Sequence, residues 1–172
     1  MLFHCPRVEA NFPAEKVVLV NHEAARLLWD EHGGTFVLRV EGLEVVEARE
    51  PVGEAVIRVE AALPEPASLA QQIESFAGRH SLRLAPAPPG EEFSETPILV
   101  ACHIPGKNLF IYSEGPQLTL RRCDPQTMEI RVIGVFKARR VPFKETDLVI
   151  HLDMAGICRV LGGMLAWTRK GQ

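Results

Sequence analysis

Apolar and polar positions alternate with a period of two through much of this chain, most clearly in the stretch 97–140, PILVACHIPGKNLFIYSEGPQLTLRRCDPQTMEIRVIGVFKARR. Period-two alternation sends successive side chains to opposite faces of a strand, so short runs of β-branched and aromatic residues bounded by turn residues read as a β-meander. The breaks are Pro105-Gly106-Lys107-Asn108, Glu114-Gly115-Pro116 and Asp124-Pro125-Gln126, and they predict four strands joined by three tight turns.

Upstream, residues 17–20 predict a strand and Asn21 caps a predicted helix that runs to His32, with Ala24, Leu27 and Leu28 on one stripe and Gly33-Gly34 as its stop. Strands follow at 36–40, 43–48 and 55–63, with turns at Glu41-Gly42 and Glu50-Pro51-Val52-Gly53. Pro64-Glu65-Pro66 then opens a second predicted helix, with Ser68 and Gln71 spaced as a capping box. Its apolar residues Leu69, Ile73, Phe76 and Ala77 fall on one helical face, and Gly78 ends it. A short strand at 82–84 leads into the proline-rich stretch 85–96.

After the meander come a strand at 148–152 and a third helix at 154–167, apolar nearly all round, with Arg159 as its one charge. The surface of such a helix exceeds what one sheet face covers, so a homodimer through it is expected. The fold class is therefore α+β, with largely antiparallel sheets and three helices in a single domain over 1–172. Within it, two repeated β-meander units are expected at 17–84 and 97–167, joined by the connector 85–96. The repeat rests on an ungapped register at an offset of 73, in which Gly42, Ile57, Arg58 and Val59 lie over Gly115, Ile130, Arg131 and Val132.

Composition changes this picture little. Hydrophobic residues are 47% and charged residues 24%, the balance of a chain that buries its own core. There is no run of apolar residues of membrane-spanning length and no leader pattern, so the expected location is cytoplasmic, with Cys5, Cys102, Cys123 and Cys158 reduced. Charge is uneven: residues 1–97 carry 8 Lys and Arg against 16 Asp and Glu, whereas 98–172 carry 11 against 6. The basic half implies either an anionic partner or pairing with the acidic half.

Three constellations carry chemistry. His151 and Asp153 are two apart, so on a strand they would share a face as a base and its orienting carboxylate; the competing role for Asp153 is the N-cap of the last helix. Cys123 sits at a turn beside Arg121 and Arg122, where a thiol pKa falls, while Cys102 and His103 are strand neighbours on opposite faces. The third is the basic cluster Arg121, Arg122, Arg131, Lys137, Arg139, Arg140 and Lys144, accompanied by Phe136 and Phe143. Alternation puts Arg131, Lys137 and Arg139 on one face of one strand, opposite either a small anionic ligand or the acidic run Glu41, Glu44, Glu47, Glu50 and Glu54, the latter being favoured.

Nucleic acid is the minority expectation, because such sites add stacking aromatics and these are only 6% of the chain. No cofactor motif and no metal-ligand spacing is present, and the glycine pairs lack the context of a phosphate loop. The expected function is a non-catalytic binding or assembly module. The alternatives are a small enzyme using His151 and Asp153 or Cys123, and an anion or nucleic-acid binder using the 121–144 cluster.

Overall fold

The computed structural model describes residues 2–12, 17–32, 35–48, 55–85, 92–104, 108–124, 126–140 and 148–170. Eleven strands and two helices follow in the order β1 (Leu2–Phe12), β2 (Val17–His32), β3 (Thr35–Ala48), β4 (Ala55–Ala62), α1 (Pro66–Arg79), β5 (Glu92–Glu95), β6 (Leu99–Ile104), β7 (Leu109–Glu114), β8 (Gln117–Asp124), β9 (Thr127–Gly134), β10 (Lys137–Arg140), β11 (Leu148–Leu152) and α2 (Met154–Lys170). Every strand pairing is antiparallel, in the order β10-β7-β6-β11-β3-β2-β1-β4-β9-β8-β5. The α+β class expected from the sequence holds.

That order forces the sheet to curl. Strands β9 and β10 stand eight places apart in it, roughly 38 Å on a flat sheet at ~4.8 Å per strand. Yet only Val135 and Phe136 separate them in sequence, a link that reaches about 11 Å. The same holds for β7 and β8, joined through Gly115-Pro116, and for β5 and β6, joined through Thr96-Pro97-Ile98. Each pair is one long strand bent at a corner into two wings, so the eleven strands amount to two antiparallel sheets that share strands.

The three corners lie against one another. The Gly115 N–H donates to the Ile98 carbonyl at 3.3 Å, and a Cβ at Gly134 would lie 2.8 Å from Ser113 Oγ and 2.9 Å from Pro116 Cβ. Gly115 itself has a φ of 64°, which a side chain resists. In the first half the bends are register shifts: β1 between His4 and Glu9, β2 between Asn21 and Arg26, with Gly42 the position skipped on β3.

Both halves therefore run three strands that cross between wings, then one straight strand, then a helix. The fourth strand of each half pairs with the third of the other, β4 with β9 and β11 with β3. In this arrangement Thr35, Leu38, Arg39, Val40 and Gly42 of β3 correspond to Thr127, Ile130, Arg131, Val132 and Gly134 of β9, an offset of 92. The offset of 73 is one strand out, since Ile57 is on a fourth strand and Ile130 on a third, and these strands are paired neighbours.

Three further expectations are corrected. Residues 21–32 are not a helix: β2 is continuous from Val17 to His32 and bonded on both sides, by β1 and β3. Its HEAARLLWDE run has high helix propensity, which the ladder to β3 from residue 26 on, joined by β1 at Arg26, Leu27 and Leu28, overrides. Ser68 and Gln71 form no capping box, because α1 starts at Pro66 behind Glu65, and Ser68 Oγ instead accepts from Gln72 Nε2 at 3.2 Å. Residues 82–84 belong to no strand.

The concave faces of both wings and the two helices share one core. Leu38, Ile57, Val59, Val100, Ile111, Leu118, Ile130, Val132 and Ile150 are wholly buried against Ile73 of α1 and Val160 and Leu161 of α2. Helix α2 packs on α1, β5, β11 and β3, with salt bridges from Arg159 to Glu95 and from Arg169 to Glu74 at 3.0 and 2.9 Å. Leu161, Met164 and Leu165 are 0%, 1% and 6% exposed within the single chain, which removes the reason for a dimer through this helix. No helix among the described residues is long and apolar enough to cross a membrane.

Candidate functional site

With the inward faces committed to the core, chemistry is left to the outward faces of the two wings. Alternation assigns them: on β7, Leu109, Ile111 and Ser113 are buried while Phe110 and Tyr112 face out half-exposed. Register then sets their neighbours. Phe110 stands between His103 of β6 and Arg139 of β10, and Tyr112 between Ala101 and Lys137.

These side chains form a ladder of near-parallel planar groups. The His103 and Phe110 rings are 4.6 Å apart at 21°, the Phe110 and Tyr112 rings 5.3 Å apart at 14°, and Arg139 Cζ lies 5.5 Å from the Tyr112 centroid. Ring pairs of this kind contribute ~0.5–1.5 kcal/mol beyond the area they bury, and an exposed cation on a ring ~0.5–1 kcal/mol. The ladder is thus pre-ordered, with Lys137 and Arg139 exposed at one end and a half-exposed imidazole at the other. Burial holds the His103 pKa below the usual histidine value, which favours the neutral ring.

The same face carries His151 and Val149 on β11 and Arg39 on β3, the latter opposite Val149. Glu114 is the only acid among the described outward side chains of β6, β7, β10 and β11. A face that, among the described residues, has arginine, lysine and stacked rings and almost no carboxylate suits a ligand that is both flat and anionic.

The other outward face differs. Arg131 on β9 stands opposite Arg58 of β4 and Thr119 of β8, and one row along Glu129 stands opposite Glu60 and Arg121. Basic and acidic rows alternate here, so the face largely neutralises itself. Arg131 Nε is buried and has no hydrogen-bond partner among the described residues.

The basic cluster read from the sequence is therefore divided. Arg131, Lys137 and Arg139 do not share a strand, because the chain turns at Val135-Phe136 and moves from β9 to β10 on the other wing. Arg121 belongs with Arg131, and Arg140 lies opposite Leu109, with the parity opposite to that of Lys137 and Arg139. The Arg122 and Cys123 side chains, Phe143, Lys144, Glu50 and Glu54 lie outside the described set. The backbone at Glu44 and Glu47 pairs with β2, and the acids one row from Arg131 are Glu60 and Glu129.

The catalytic constellations do not assemble among the described residues. The Asp153 carboxylate accepts the Gly156 N–H at 2.6 Å as the N-cap of α2, while His151 faces outward on β11. Cys102 is buried in the core and His103 is on the opposite face, as strand parity requires. Cys158 lines a shallow groove of about 490 Å³ with Arg83, Met154 and Arg159, and its pKa is raised, chiefly by burial, so it remains a thiol. No group of three His, Cys, Asp or Glu side chains able to hold a metal occurs among the described residues.

Sequence reading missed His103, Phe110 and Tyr112 as members of the site. Phe110 and Tyr112 do share strand parity, a visible signal, but their neighbours on β10 are supplied by a pairing between strands that a third hairpin separates in the chain. No protein-family model, curated protein or solved structure matches this chain.

Proposed function

We propose that this chain is a non-catalytic binding module whose ligand surface is the outward face of β10, β7 and β6. The observation that carries the reading is the ladder His103, Phe110, Tyr112 and Arg139, flanked by Lys137 and nearly free of carboxylates among the described residues. The ligand it fits is anionic and carries a planar ring, since phosphate alone has no use for ordered aromatics and a neutral ring has none for the cations.

Comparison with the other half supports the reading. The half-strand corresponding to β7 is Val17-Val18-Leu19-Val20, without an aromatic, and where β10 reads Lys137-Ala138-Arg139-Arg140 the corresponding end of β3 reads Val45-Val46-Glu47-Ala48. The fold does not require the rings or the cations at these positions.

Equilibrium titration with adenosine triphosphate and with inorganic phosphate, at low salt, tests the proposal. The nucleotide should bind more tightly than phosphate, and Tyr112→Ala and Arg139→Ala should each weaken it several-fold while leaving the circular dichroism spectrum unchanged. Equal affinity of the folded variants and the wild type would overturn it.

A further inference from the structure

Beyond the ligand face, we infer that the free edge of β10 takes up an acidic, extended segment of a partner protein as one further strand, with carboxylates at alternate positions beside Lys137 and Arg139.

The two ends of the strand order differ. At one end β5 is covered: α2 packs on it, Phe93 is buried with Gly163 of α2 against its ring, and Arg159 of α2 pairs with Glu95 at 3.0 Å. At the other end β10 has β7 on one side and, among the described residues, no strand on the other, and all four of its residues are exposed. A strand with one neighbour turns a row of backbone N–H and C=O groups to solvent, and an incoming chain can pair with them. The row is intact here, because Lys137–Arg140 run in unbroken register with Leu109–Tyr112, with no bulge and no proline to turn a partner away.

Short length and charge also serve to blunt an edge, but an exposed valine does not. Val135, 72% exposed, stands immediately before β10 and offers a partner an apolar contact at the head of the strand. Charge then names the partner. Lys137 and Arg139 share a face two residues apart, so side chains at i and i+2 of an added strand stand beside them, about 4.5–5.5 Å away between Cβ atoms. Carboxylates are favoured at those positions and cations repelled. The Arg139 guanidinium lies over Tyr112 of β7, on the side away from the free edge, and so leaves the backbone of that edge uncovered.

Fluorescence anisotropy of the full chain at low salt, with a labelled short peptide alternating glutamate and valine and with its lysine–valine counterpart, tests the inference. The acidic peptide should bind and the basic one should not. In an added strand every second amide faces β10, so N-methylating the glutamates and N-methylating the valines should differ in effect by about tenfold or more, one set removing paired N–H groups and the other solvent-facing ones. Lys137→Ala and Arg139→Ala should each weaken binding by up to about fivefold, the scale of an exposed ion pair, and reduce its salt dependence. Arg131→Ala, on the other outward face, should change neither. If the two N-methylated peptides bind alike, charge alone is recognised and the inference fails. If the acidic peptide does not bind while adenosine triphosphate does, the inference fails and the proposed function stands. If the nucleotide does not bind but the acidic peptide does, with unequal N-methyl effects, the proposed function fails and the strand-addition site stands.

Discussion

Replacing Gly162 with alanine tests how α2 is held. In this helix the segment after α1 crosses so closely that a Cβ at Gly162 would overlap the Ala85 carbonyl oxygen and lie 3.2 Å from its carbon. The obstacle is backbone, fixed nearby by the Leu82 N–H to Ala77 carbonyl bond of 2.8 Å and by the half-buried Leu82 and Leu84, so it cannot rotate away as a side-chain tip would. Overpacking of this kind costs ~1–3 kcal/mol, and alanine in a helix interior returns up to about 1 kcal/mol of propensity. Because the contact is with backbone, the upper part of that range applies, and a net loss of about 1–2 kcal/mol is expected. Gly78 on α1 is the control: exposed, with nothing within 4 Å of the added carbon, so Gly78→Ala should be neutral or gain up to ~1 kcal/mol. Urea denaturation followed by far-ultraviolet circular dichroism reads both. A Gly162→Ala protein as stable as wild type would refute the close crossing and with it the account of how α2 is buried.

Asp153→Ala removes the carboxylate that caps α2 and should cost roughly 0.5–2 kcal/mol in the same assay, with Asp153→Asn retaining most of the stability. The depressed His103 pKa means that the unfolded chain takes up a proton first as pH falls. Its contribution to stability is therefore full above the ordinary histidine value of about 6.5 and declines below it until the folded pKa is passed, so His103→Phe should flatten the stability profile on the acid side of about pH 6.5. At Cys158 the raised pKa predicts alkylation by iodoacetamide more slowly than an unstructured cysteine peptide at about pH 8, and equal rates would show the thiol to be unburied.

Strand identity and facing were largely legible in the sequence; strand order was not. Leu109, Ile111, Leu118, Leu120, Met128, Ile130 and Val132 follow the period-two alternation of their strands, and all seven are buried. It also separated Cys102 from His103. What alternation cannot show is that Gly115-Pro116 is a corner rather than a hairpin turn, because both kinds of break use the same residues, or that the strand bends at Val135-Phe136, where no turn residue marks it. Reading one strand straight through Val135-Phe136 made Arg131, Lys137 and Arg139 neighbours and hid Phe110 and Tyr112 from the cations that border them. The misreading of 21–32 has another cause: alanine, leucine and glutamate there favour a helix locally, and only pairing with distant strands, β3 along 26–32 and β1 at 26–28, decides for a strand. The last helix was legible in its extent and apolarity, but its covering came from the same chain, through α1, two wings and the crossing at Ala85.

Chemical-shift mapping of the folded protein with adenosine triphosphate tests the central claim most directly, because it reports which outward face is used. Amide shifts centred on His103, Phe110, Tyr112, Lys137 and Arg139, lost as salt rises, are the predicted result. Shifts centred on Arg58, Thr119 and Arg131, or none at saturating ligand, would contradict the account.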